Sequence, residues 1–135
     1  MVRVTADALS WRPIDPPFTL PFDRFWSWLM SHPNCIVRAG TPEAVLFDDD
    51  DLHWHFAAED DRTLLVQLLR GKRLLGEIVV DPEQVAYVEG VPSEQPDEHV
   101  FELISETEND RFAAWVFVLA HGWDEDGEFS AARVH

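Results

Sequence analysis

The chain has 135 residues, 26 of them acidic and 10 basic, and its formal net charge is −16. This length predicts one domain with one core, and a field of this sign repels phosphate backbones and anionic lipid, which excludes nucleic acids and membranes as expected partners. With 46% hydrophobic residues and six tryptophans, the composition also excludes a disordered chain.

The termini and the single cysteine give no sign of export. Residues 1–9 carry Arg3 and Asp7 and lack the apolar core of a secretory signal. No uncharged run reaches the roughly 20 residues that a membrane-spanning helix needs. Cys35 has no second cysteine with which to form a disulfide. We therefore expect a cytoplasmic protein.

Residues 1–20 are predicted to form an extended, proline-rich arm. Val2–Val4 alternates as an edge strand does, and the prolines between positions 12 and 21 fix φ and remove backbone donors. Residues 12–21 are therefore extended and cannot be the interior of a helix.

An amphipathic helix is predicted after the arm. Thr19 stands where an N-cap belongs, Asp23 favours the positive end of the helix dipole, and Pro33 ends the helix. Trp28 lies off the apolar stripe. Five apolar residues recur at helical spacing and form that stripe: Phe22, Phe25, Trp26, Leu29 and Met30.

The clearest strand pair lies in residues 62–80, where two apolar runs meet at Arg70-Gly71-Lys72. A glycine-bearing turn between apolar runs is typical of an antiparallel hairpin. A third apolar run enters through Asp81-Pro82, which can form one helical turn. The alternation places six positions on one face of the hairpin: Leu64, Val66, Leu68, Leu74, Ile78 and Val80.

Shorter strands are predicted on both sides of this hairpin, at residues 35–38, 43–47, 52–58 and 100–104. Residues 112–120 fit both a helix stripe and a strand, and their β-branched and aromatic content favours the strand. The predicted fold is therefore α+β, with an N-terminal amphipathic helix packed on an antiparallel sheet of about six or seven strands. We expect residues 1–135 to form a single domain that ends in an acidic tail at 123–135.

One cluster of residues has metal-binding chemistry. His53 and His55 point to one face of the predicted strand, with Cα atoms about 7 Å apart, and Glu59 follows four residues later. The spacing is similar to the first motif of the cupin barrels, but the glycines that accompany that motif are absent and no family is assigned. Further ligands would come from Asp51, His99 or His121. We expect no cofactor; the alternative is that this cluster binds a divalent transition metal.

Two classes of function remain. The first, which the sequence favours, is a non-enzymatic protein-binding or accessory domain, with the size and acidity of secretion chaperones and immunity proteins. Trp28, Trp54 and Trp123 are its predicted contacts, together with Trp11, and the abundant acids favour a basic protein partner. Homodimerisation also fits. The second class is a metal-binding domain or metal-dependent enzyme that uses His53, His55 and Glu59.

Overall fold

The structure, a computed structural model, describes residues 15–124, so the predicted strand at Val2–Val4 lies outside the described residues. Within these residues nine strands form two antiparallel sheets, accompanied by one short α-helix. The α+β class with antiparallel strands is confirmed in outline. The prediction of one sheet with six or seven strands is wrong, because the strands divide into two separate hydrogen-bonded ladders.

The elements follow one another along the described chain with short connections. They are β1 (Phe18–Leu20), α1 (Phe22–Met30), β2 (Ile36–Gly40), β3 (Val45–Phe47), β4 (Leu52–Asp60), β5 (Thr63–Arg70), β6 (Arg73–Val80), β7 (Tyr87–Val91), β8 (His99–Glu106) and β9 (Arg111–Leu119). The larger sheet has the order β1-β7-β8-β9-β2-β3, and the smaller sheet has the order β4-β5-β6. No helix in the described part of the chain is long and apolar enough to cross a membrane.

The smaller sheet contains the hairpin that the sequence predicts. β5 and β6 pair antiparallel, and Gly71 in their turn has a φ of 60°, a conformation that glycine adopts readily. Val66 and Val80 are fully buried on the inner face. A register shift beside Leu68 moves Leu74 to the outer face, where it is 49% exposed, so the prediction that it shares a face with Val66 and Val80 is wrong.

The ambiguous run at residues 112–120 forms β9, a nine-residue strand, as predicted. The predicted turn after Asp81 is also present, because Pro82–Gln84 forms a 3-10 turn and the Asp81 side chain accepts a hydrogen bond from the Glu83 amide.

The helix differs from its prediction in position and orientation. It is not the first described element, since β1 precedes it, and its N-cap is Pro21, which makes no side-chain cap hydrogen bond. Trp28, predicted off the apolar stripe, is buried, while Met30 is 46% exposed. At the C-terminal end the carbonyl of Trp28 accepts hydrogen bonds from the side chains of Ser31 and His32, which ends the helix before Pro33.

The core lies between the two sheets, and aromatic side chains of α1 reach both of them. The Phe25 ring centroid is 5.1 Å from that of Phe101 in β8, and the Trp26 centroid is 5.6 Å from that of Phe56 in β4. Full burial of one such side chain contributes roughly 1.5–3 kcal/mol. The helix therefore holds the sheets together through side-chain packing.

The two sheets also touch directly at Gly76 of β6. A Cβ atom there would lie 2.6 Å from Cδ2 of Leu46, so the missing side chain makes room for Leu46 of β3. Nearby, Trp115 of β9 donates a hydrogen bond from Nε1 to the carbonyl of Val79 at 2.9 Å. These side-chain contacts connect the sheets without joining their ladders.

Candidate protein-binding surface

An apolar groove of about 230 Å³ lies on the face of the larger sheet that points away from the core. Directly opposed residues in paired strands share a face, and Gly40 is opposite both Val45 and Val116. Val118 completes the floor, and the Arg38 side chain forms one wall. We call this feature the outer groove.

The edge strand β3 forms the open side of the outer groove. Phe47 is 61% exposed and Val45 is 48% exposed, and both side chains point to the groove side of the sheet. β3 pairs only with β2, so its other edge has no ladder partner among the described residues. The four exposed aspartates at 48–51 follow immediately. The groove is thus open along one strand edge and acidic at its end.

The Arg38 charge is neutralised by Glu98. Two hydrogen bonds of 3.0 Å join the guanidinium to both carboxylate oxygens, and they lower the pKa of Glu98 below its usual value, with the Arg38 charge adding to the effect. Arg38 lies in β2 and Glu98 just before β8, so the pair crosses β9 above Val118, which is 3% exposed. The pair closes one side of the groove.

A second arginine on this face is also paired. Arg111 contacts Glu89 and the hydroxyl of Tyr87. Between the two ion pairs stands Glu102, which is opposite Val116 and half-buried. Within residues 15–124, the side chain of Glu102 has no hydrogen bond or ion pair. The outer groove therefore has a free carboxylate beside its apolar floor, and the nearby cations are already occupied.

The predicted metal ligands lie on a different face. His53 and His55 are exposed on the outer side of β4 while Trp54 is buried beneath them, so their predicted shared face is confirmed. Glu59 lies four residues beyond His55 in the extended strand, so their Cα atoms are about 13 Å apart. This distance is too long for the two side chains to bind one metal ion together. His99 and His121 lie with the larger sheet. Among the described residues no group of three or more His, Cys, Asp or Glu is arranged to hold a metal ion, and the metal site stays a prediction without a third ligand.

The predicted partner contacts Trp28, Trp54 and Trp123 are all buried, with exposed fractions of 2%, 6% and 0%. Trp54 packs inward from β4 and donates its Nε1 hydrogen to the carbonyl of Ile36. Trp28 and Trp123 pack together with ring centroids 5.0 Å apart, so Trp123 belongs to the core although the sequence assigned it to an acidic tail. Burial leaves these three rings no surface to offer a partner. Trp11 lies outside the described residues.

Sequence reasoning missed a cluster of histidines around Trp28. The rings of His32 and His121 have centroids 4.9 Å apart, and both contact the Trp28 ring. His99 lies nearby at the start of β8, and its pKa is lowered mainly by burial, with the charge of His121 acting in the same direction and Asp97 opposing it. These residues are far apart in the chain, so no local spacing indicates their contact.

We expect the stability of the protein to fall as the pH drops through the usual titration range of histidine. Because the pKa of His99 is lowered in the folded state, the unfolded chain binds a proton first, and unfolding is favoured until the folded form also protonates. His99→Gln should therefore reduce the slope of unfolding free energy against pH, measured by urea unfolding between about pH 8 and pH 5. His53→Gln, which removes an exposed imidazole from the smaller sheet, is the matched control. An unchanged slope in His99→Gln would contradict this assignment.

Comparisons with protein-family models, with curated proteins and with solved structures find no match to this chain.

Proposed function

We propose that this chain is a non-enzymatic protein-binding domain and that the outer groove is its binding site. The observation that carries the proposal is the combination of an apolar floor, two strongly exposed side chains on β3 and the unpaired carboxylate of Glu102. Exposed apolar surface rimmed by polar groups is typical of a contact site for another protein.

The size of the groove favours an anchoring side chain over a small-molecule substrate. Its volume of about 230 Å³ is below the roughly 300–1,000 Å³ of most small-molecule sites. One or two apolar side chains would fill it. The free edge of β3 adds backbone donors and acceptors to which an extended segment can pair, and such pairing is a common way to bind peptides.

The charges favour a basic partner segment. Arg38 and Arg111 are already paired, so the carboxylate of Glu102 and the aspartates at 48–51 set the sign of the potential around the groove. The proposed ligand is therefore an extended segment with apolar side chains on one face and a lysine or arginine beside them.

Selection from a random peptide library tests this proposal. Peptides that bind the wild-type chain should be enriched in alternating apolar residues with nearby lysine or arginine. Their affinity, measured by fluorescence anisotropy, should fall at least about tenfold in Phe47→Ser, because the most exposed apolar anchor is lost. Glu102→Gln should weaken the basic peptides selectively.

Phe112→Ser is the matched control, since Phe112 is 46% exposed but belongs to β9 away from the groove lining. It should leave peptide affinity unchanged. The proposal fails if the library yields no enriched sequence. It also fails if the enriched peptides are acidic, or if they bind Phe47→Ser as well as they bind the wild type.

A further inference from the structure

A second exposed apolar surface lies on the smaller sheet, on the face that points away from the core. We call it the meander face. Leu74, Leu75 and Val79 of β6 are 49%, 43% and 52% exposed there. Leu65 and Leu69 of β5 share this face through their pairing with Val79 and Leu74. The meander face is therefore apolar along its centre and along the β6 side, and nothing in the described chain covers it.

One polar row crosses the meander face from edge to edge. The Oε1 atom of Gln67 in β5 lies 3.2 Å from Nδ1 of His55 in β4, and its Nε2 donates to Oε1 of Glu77 in β6 at 2.8 Å. Since the amide oxygen only accepts, Nδ1 of His55 carries the hydrogen in this contact. The row thus has a histidine at one end, a carboxylate at the other and an amide in the middle.

Charges at the four corners of the smaller sheet are unequal. Arg70, Lys72 and Arg73 are exposed at the β5–β6 turn, and within residues 15–124 none of their side chains has an ion pair or hydrogen bond. This turn is the one basic corner. The other corners have a negative net charge: Asp48–Asp51 lie before β4, Glu59, Asp60 and Asp61 lie between β4 and β5, and Asp81 and Glu83 lie after β6. Arg62 of the β4–β5 turn forms an ion pair with Glu83 and joins the last two of these corners.

We infer that the meander face binds the meander face of a second copy of this chain, around a two-fold axis that runs along β5. Such an axis places β6 of one copy over β4 of the other and leaves β5 facing β5. The basic turn of each copy then lies over the four aspartates of its partner. The row across the face also becomes self-complementary, because His55 of each copy faces a Glu77.

The polar row selects this axis over the other simple choice. An axis across the strands would place His55 over His55 and Glu77 over Glu77, so the row would lose its complementarity and the carboxylates would repel. The axis along β5 brings the acidic β4–β5 turn over Asp81 and Glu83, and the ion pair between Arg62 and Glu83 offsets part of the repulsion between these acids. This inference concerns a different face from the outer groove and does not depend on the proposed peptide binding.

Sedimentation velocity over a range of protein concentrations tests the inference. The wild-type chain should sediment with twice the monomer mass at high concentration and dissociate on dilution. A double charge reversal in the basic turn, Lys72→Glu with Arg73→Glu, should raise the dimer Kd at least about tenfold because it places acids over acids. Asp50→Lys with Asp51→Lys should weaken the homodimer in the same way.

Mixing the two double variants provides the decisive measurement. In the mixed dimer the acidic turn of the first variant lies over the lysines at 50 and 51 of the second, and the unaltered turn of the second lies over the unaltered aspartates of the first. The mixture should therefore form a heterodimer tighter than either homodimer. Phe47→Ser, which alters only the outer groove, should dimerise like the wild type, and circular dichroism confirms that each variant is folded. A wild-type chain that stays monomeric overturns the inference. So does a dimer that both charge reversals leave intact, or a mixture with no gain in affinity.

Discussion

Replacing Phe25 by alanine is expected to lower the free energy of unfolding by about 3–5 kcal/mol. The side chain is fully buried, and its ring lies within 5.1 Å of the Phe101 centroid and 6.1 Å of the Phe117 centroid. These partners stand on different strands of the larger sheet, and the helix backbone prevents the site from closing around the cavity. Chemical denaturation of the wild-type chain and the variant measures the difference.

Met30→Ala is the matched control on the same helix. Met30 is 46% exposed, so its truncation removes little buried surface and should cost less than about 1 kcal/mol. Similar losses in both variants would show that the helix does not hold the core through Phe25. That result would contradict the packing of α1 against the larger sheet through Phe25.

Replacing Gly40 by alanine is expected to cost about 1–3 kcal/mol and to disturb the outer groove. A Cβ atom at Gly40 would lie 2.3 Å from the carbonyl oxygen of Ala44 and 2.8 Å from the Cα of Val45. Both are backbone atoms of the tight β2–β3 connection, which the hydrogen bond from the Thr41 amide to the Ala44 carbonyl closes. The hairpin must therefore open to admit the methyl group, and β3 moves with it.

Unfolding measurements give the cost of this change, and amide chemical shifts of β3 report its location. Gly71→Asn is the matched control, because no atom lies within 4 Å of a Cβ at Gly71 and asparagine tolerates its φ of 60°. This variant should change the stability by only a few tenths of a kcal/mol. A Gly40→Ala chain with wild-type stability and unchanged β3 shifts would contradict the close approach of the backbone.

Local patterns predicted the elements of this fold better than their assembly. The alternation in residues 62–80 predicted the β5–β6 hairpin, since its paired residues are at most 16 positions apart and are joined by one turn. It failed at Leu74, because the register shift beside Leu68 is a property of the ladder that alternation cannot encode. The division into two sheets also depends on contacts between distant segments, such as Leu46 with Gly76.

The helix shows how the surroundings decide which residues are buried. Periodicity alone placed Met30 on the apolar stripe and Trp28 off it. In the structure Trp123, almost a hundred residues later, packs on Trp28 and encloses it. A contact between residues this far apart in the chain cannot be predicted from the local spacing. For this reason the sequence predicted buried tryptophans as partner contacts.

The candidate site was only partly visible in the sequence. Val45-Leu46-Phe47 is apolar on both faces of a strand and runs into four aspartates, which indicates an apolar surface outside the core. The neutralisation of Arg38 could not be predicted, because its partner Glu98 is 60 residues away. Without that pairing the sequence cannot show that Glu102 is the carboxylate left free beside the groove.

The separation of the two ladders has a consequence for the order of folding. Every pairing in the smaller sheet joins residues between Leu52 and Val80, whereas the larger sheet pairs Phe18 with Gly90 and Ile36 with Leu119. Local pairings have a low loop-closure cost and form quickly, and distant ones form slowly. A nascent chain should therefore complete its central strands early, while Phe25 and Trp26 of α1 gain their contacts with Phe117 only after β9 has been synthesised.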